Sequence, residues 1–118
     1  MPANIDSLLI PLLRLHDYCA SVSDELVQDY TGEAKDDLRA ASAYVECSIL
    51  PADVREQVMR QLDSARAEIF GASRNVPACG AIVSRLRRQL ANEIAARLQQ
   101  PLPYNEQYYP RLISATDD

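Results

Sequence analysis

Apolar residues recur along this chain at three- and four-residue intervals, and the intervals fall into four blocks. In the first block Leu8, Leu12, Leu15, Cys19, Val22 and Leu26 are spaced 4-3-4-3-4, which is the seam of a helix that packs in a bundle. This helix is predicted from Asp6 or Ser7, either of which can cap free backbone N–H groups, to Gln28 or Asp29. Pro11 falls near the first turn, where a missing N–H does least harm. A second row, Leu9, Leu13, His16, Ala20 and Val27, runs beside the seam. The two rows together cover about half the helix circumference, wider than the ~100° stripe of a surface helix. The first helix is therefore expected either at the centre of the bundle or shared with a second subunit.

Thr31-Gly32 marks a break, and a second helix is predicted from Glu33 to Ser48. Its acidic start, Glu33, Asp36 and Asp37, suits the positive end of a helix dipole. Ala34, Leu38, Ala41, Val45 and Ile49 make its inner face. Pro51 ends this helix and opens the third, a position where proline is favoured. The third helix spans Pro51 to Phe70, with Val54, Val58, Leu62, Ala65 and Ile69 on one face. Glu56 and Arg60 form an i,i+4 pair on its surface. Gly71 is placed just past its last turn, where a left-handed residue commonly closes a helix. The fourth helix is predicted from Pro77 or Ala78 to Gln100, with the stripe Cys79, Val83, Leu86, Leu90, Ile94 and Leu98, and Pro101 as its stop.

No strand-like alternation persists anywhere. The fold class is all-α: an antiparallel four-helix bundle over residues 1–100, because turns of a few residues set neighbouring helices antiparallel. An extended Pro/Tyr-rich C-terminal tail follows over residues 101–118. That tail holds three of the seven prolines and three of the six tyrosines.

A length of 118 residues fits one domain, large enough to bury a core without metal or disulfide staples. Cys19, Cys47 and Cys79 are odd in number and far apart, which opposes a secreted disulfide framework. The N-terminal stretch lacks the basic n-region of a signal peptide. No apolar run approaches the ~20 residues a membrane span needs. The cytoplasm is the expected compartment. The net charge of −5 opposes nonspecific nucleic-acid binding, which runs on phosphate neutralisation. The charge is unevenly spread: residues 17–68 carry twelve acids and five bases, residues 69–111 six arginines and two acids.

The groups that could carry chemistry are few. His16 is the only histidine, and Cys19 lies one turn on. Two ligands fall short of a zinc site, and a single histidine cannot build a carboxylate-bridged di-iron centre. As a phosphotransfer histidine it would stand beside Asp17, whose charge repels a phosphoryl group. As a base for Cys19 it would sit on a packing face, where thiols behave as small hydrophobes. Cys47 projects away from the inner face of its helix and is the expected exposed thiol. Arg85, Arg87 and Arg88 are expected to pair with the acidic second and third helices. Asp29, Glu33, Asp36 and Asp37 lack the alternating pattern of a calcium loop. Gly-rich phosphate loops and nucleophile-elbow motifs are absent. No cofactor or metal is expected.

Elimination thus points to a small non-catalytic protein-binding module of bacterial or phage character. It would act as an inhibitor, immunity protein, adaptor or assembly chaperone by occupying another protein. The expected contact residues are Leu9, Leu13 and His16 on the first helix, and Tyr104, Tyr108, Tyr109 and Arg111 in the tail, since Tyr and Arg are enriched at binding hot spots. A homodimer is the expected closed assembly. The alternative is a small helical enzyme with an Arg/carboxylate site between helices, chemistry of the chorismate-mutase type. A deep polar cavity lined by Arg87 or Arg97 would mark the enzyme, and an apolar surface the binder.

Overall fold

A computed structural model describes residues 8–72 and 74–98. They form four helices, α1 (Leu9–Val27), α2 (Thr31–Glu46), α3 (Ala52–Phe70) and α4 (Val76–Leu98), with no strand among the described residues. The predicted tail, with Tyr104, Tyr108, Tyr109 and Arg111, lies outside them, as do the capping positions Asp6 and Ser7.

Each helix packs on two others: α1 on α2 and α4, and α3 on α2 and α4. Neighbours run in opposite directions. Late α1 faces early α2, where Glu25 meets Asp37, and the ring of Tyr18 in mid-α1 packs at a tilt of 49° against that of Tyr44 near the end of α2, their centroids 6.1 Å apart. A Cβ on Gly80, near the start of α4, would lie 3.9 Å from Leu26 near the end of α1. One core runs through all four helices. Leu12, Leu15, Cys19, Val22 and Leu26 face Leu38, Ala41 and Val45, then Val58, Leu62 and Ile69, then Val83, Leu86, Leu90 and Ile94. These are the stripes read from spacing, because a 3.6-residue period holds i, i+3, i+4 and i+7 on one side.

The turns depart from expectation in three places. The left-handed residue is Asp29, at φ 65°, and not Gly71. Asp29 N–H donates to the Leu26 carbonyl at 3.2 Å and Tyr30 N–H to the Glu25 carbonyl at 2.7 Å, the paired bonds of a Schellman closure. A short polar side chain such as Asp tolerates this conformation better than most. Gly71 is extended, at φ −72° and ψ 168°, and the turn closes instead through Asn75 N–H to the Glu68 carbonyl at 2.7 Å. Asn75 also caps α4, its Oδ1 accepting from Ala78 N–H at 3.0 Å.

α2 begins at Thr31, so Gly32 lies in its first turn, and it ends at Glu46. That early end corrects Ile49. The four-residue period does not continue through Cys47 to Leu50, so Ile49 is 65% exposed and Leu50 takes its place in the core. Ser48 fixes the connection: its Oγ donates to the Val45 carbonyl at 2.8 Å and accepts from Leu50 N–H at 3.4 Å. Pro51 is extended and immediately precedes α3.

Candidate protein-binding surface

α1 is the helix whose apolar surface exceeds a single seam, and the structure divides that surface. Tyr18 and Glu25 turn toward α2. At 100° per residue, His16 and Ala20 lie on the opposite flank, the side taken by α4. Both are buried, His16 at 2% and Ala20 at 0% exposure. His16 therefore lies in the interior and is not part of the open face. Leu9 and Leu13 are half-buried at the margin of the core. Val27, last in the row, is exposed.

The outer face of α1 stays open. Ile10 is 58% exposed, and sequence reasoning missed it because it lies on neither row. Ile10, Leu13 and Tyr18 line an open depression of about 450 Å³, with Arg14, Asp17 and Asp37 as its charged members. The depression joins Leu13, which was expected at a contact, to an Ile, a Tyr and an Arg side chain. Ser21 completes the lining, and such a surface can bury apolar area and fix orientation with charge.

A second concavity, about 250 Å³, opens between α3 and α4 where α1 begins. Its floor is apolar, built from Leu12, Leu50, Val54, Val58, Leu86 and Leu90. Its polar wall is partly paired: Gln61 Nε2 donates to Gln89 Oε1 at 2.9 Å and Arg97 Nε to Glu93 Oε1 at 3.0 Å, whereas Gln61 Oε1 is buried with no hydrogen-bond partner among the described residues.

The thiols sort by burial. Cys47 is exposed, whereas Cys19 and Cys79 are buried. Burial pushes the Cys19 thiol up to about 12, against the pull of the Arg87 charge. Burial and then the Glu68 charge push Cys79 up to about 11. Cys19 is thus held as the neutral thiol beside His16, without the thiolate that nucleophilic attack requires. Among the described residues no three His, Cys, Asp or Glu side chains are grouped to hold a metal ion, and no helix is long and apolar enough to cross a membrane.

Carboxylates gather where α1 meets α2. The Glu25 carboxyl is raised to about 7, first by burial, then by its hydrogen bond and charge interaction with Asp37, and further by Glu33 and Asp24. Burial and crowded like charges both disfavour ionisation of the Glu25 carboxyl.

The chain matches no family model, no curated protein and no solved structure at a significant level.

Proposed function

We propose that this chain is a non-catalytic protein-binding module that acts by occupying a partner protein through the outer face of α1. The observation that carries the reading is the open apolar group of Ile10 and Leu13 beside Tyr18 and Arg14. Aromatic and Arg anchors within an apolar patch are the composition of a binding hot spot. Tyr104, Tyr108, Tyr109 and Arg111 extend the proposed contact set, and a second copy of the chain is one partner it would accept, as a homodimer in the cytoplasm. An inhibitor, immunity, adaptor or assembly-chaperone role uses such a surface equally well.

The decisive experiment is a capture from the native host with the wild-type chain and with an Ile10→Glu/Leu13→Glu variant, followed by mass spectrometry. One partner held by the wild type and lost by the variant, with helical circular dichroism unchanged, supports the reading. A partner retained by the variant overturns it. Light scattering of the purified chain at micromolar concentration decides the homodimer.

The enzyme reading draws on the α3–α4 concavity, which Arg97 borders. Its floor is apolar and Arg97, the one cation among its described lining residues, is already paired with Glu93, so an anionic substrate would have to displace that carboxylate. We rank it second for this reason.

A further inference from the structure

Three cations converge on one aromatic ring across the seam between α2 and α3. Lys35 Nζ lies 5.4 Å from the centroid of Phe70, the Arg39 guanidinium carbon 4.6 Å and the Arg66 guanidinium carbon 5.6 Å. Lys35 and Arg39 are one turn apart on α2, and Arg66 is one turn before Phe70 on α3. No two of the three are further apart than about 11 Å. Like charges one turn apart repel, and the negative face of the ring offsets this only in part.

Carboxylates leave the group under-neutralised. Arg39 reaches Asp36 at 3.1 Å. Among the described residues Lys35 and Arg66 have no ion-pair partner. The cluster therefore holds an excess of two positive charges, and it does so within the acidic part of an acidic chain.

We propose that Lys35, Arg39 and Arg66, gathered on Phe70, bind a dianionic phosphate group. The Arg66 fork can give paired hydrogen bonds to phosphate oxygens, Arg39 adds the N–H groups that its bond to Asp36 leaves over, and the ammonium adds a point charge. A phosphate monoester carries close to two negative charges above its second pKa of about 6, which matches the excess. A single carboxylate would leave one cation unmatched. The Phe70 ring gathers the three side chains without neutralising them, so their order is in place before the ligand arrives. The site is separate from the α1 face and does not depend on that face having a partner.

The test is an NMR titration of the full chain with inorganic phosphate, at ionic strength held constant with sodium chloride. Lys35 is the only lysine, so its side-chain signal is assignable without ambiguity. Saturable shifts at Lys35, Arg39 and Arg66 are expected, weakening below pH ~6 as the phosphate gains a proton. Lys35→Gln and Arg66→Gln should each weaken binding by about tenfold, the scale of losing one charged hydrogen-bond partner. Phe70→Leu keeps every charge and should still weaken binding. Were it to unfold the chain, the two charge variants alone carry the test. Shifts that rise linearly with phosphate, shifts as large at Arg85 and Arg88, or succinate binding as tightly as phosphate would each overturn the proposal. Under the proposal, O-phosphoserine separates two sources: tighter binding than inorganic phosphate points to a phosphorylated side chain, equal binding to free phosphate.

Discussion

On the α4 side of α1, His16 and Ala20 are shut into the bundle; on the outer face Ile10, Leu13 and Tyr18 border an open depression. The two regions belong to one helix and carry comparable apolar character. They differ in whether a neighbouring helix stands over them. A bundle helix with two neighbours buries the arc that faces both, so a half-apolar circumference does not by itself require a second subunit. His16 and Ala20 use up part of the apolar excess inside the chain, and the case for a partner passes to Ile10 and Leu13.

Core truncation should break the closed side outright. Leu15 is 1% exposed, and Leu15→Ala should cost about 2–5 kcal/mol by lost transfer energy and an unfilled cavity. Ile10→Ala, on the open face, should cost no more than about 0.5 kcal/mol. Urea unfolding of the pair measures the contrast directly, and equal losses would show that something covers Ile10.

Leu13 stands at the border of the two regions. Leu13→Glu should abolish association through the open face, read by light scattering, while helical content stays largely intact. A collapse of circular dichroism would move Leu13 to the closed side.

The turn between α1 and α2 offers a smaller effect of opposite sign. Gly32 sits in the first turn of α2, and a Cβ there would meet nothing within 4 Å. Gly32→Ala should stabilise the chain by about 0.4–1 kcal/mol by restricting the unfolded state. Gly71→Ala should gain less or nothing, since its Cβ would lie 3.1 Å from the Ala67 carbonyl.

The acidic end of the α1–α2 pair makes stability depend on pH. Glu25 is raised from its ordinary 4.5 to about 7, so the folded chain holds this proton more tightly than the unfolded chain. The stabilisation is complete below 4.5 and is lost as pH rises through 7. Glu25→Gln should flatten the thermal-stability profile between pH 5 and pH 8. An unchanged slope would place the titration elsewhere.

The smallest perturbation is chemical labelling. A thiol reagent on the native chain should modify Cys47 alone, with Cys19 and Cys79 protected until unfolding. Labelling of Cys19 under native conditions would show that α1 opens on its buried side.

Much of the fold was legible in the residues alone. The spacing of Leu12, Leu15, Cys19 and Val22, of Leu38, Ala41 and Val45, and of Val83, Leu86 and Leu90 marks a buried stripe on each helix, because helical period is a local property of the chain. Cys47 was expected to be exposed and is, although α2 ends one residue before it. Of the residues lining the candidate surface, spacing names Leu13 as a contact residue; Leu9 is half-buried against the core and does not line the depression. Ile10 lies outside both rows, and nothing local distinguishes it from any single exposed apolar residue.

Tertiary structure decided the rest, since each remaining question depends on residues distant in the chain. Spacing put His16 in an apolar row, but only the approach of α4 determines that the row is closed there. Ile49 and Leu50 are adjacent and equally apolar, and the end of α2 at Glu46 sends one outward and the other into the core. A left-handed closure was required at one turn, and the way α1 leads into α2 assigned it to Asp29 in place of Gly71. Lys35, Arg39 and Arg66 read as scattered charges until α2 and α3 pack side by side and bring all three onto Phe70. Local periodicity fixes which face of a helix is apolar; the contacts between helices fix which part of that face meets solvent and which charges are brought together.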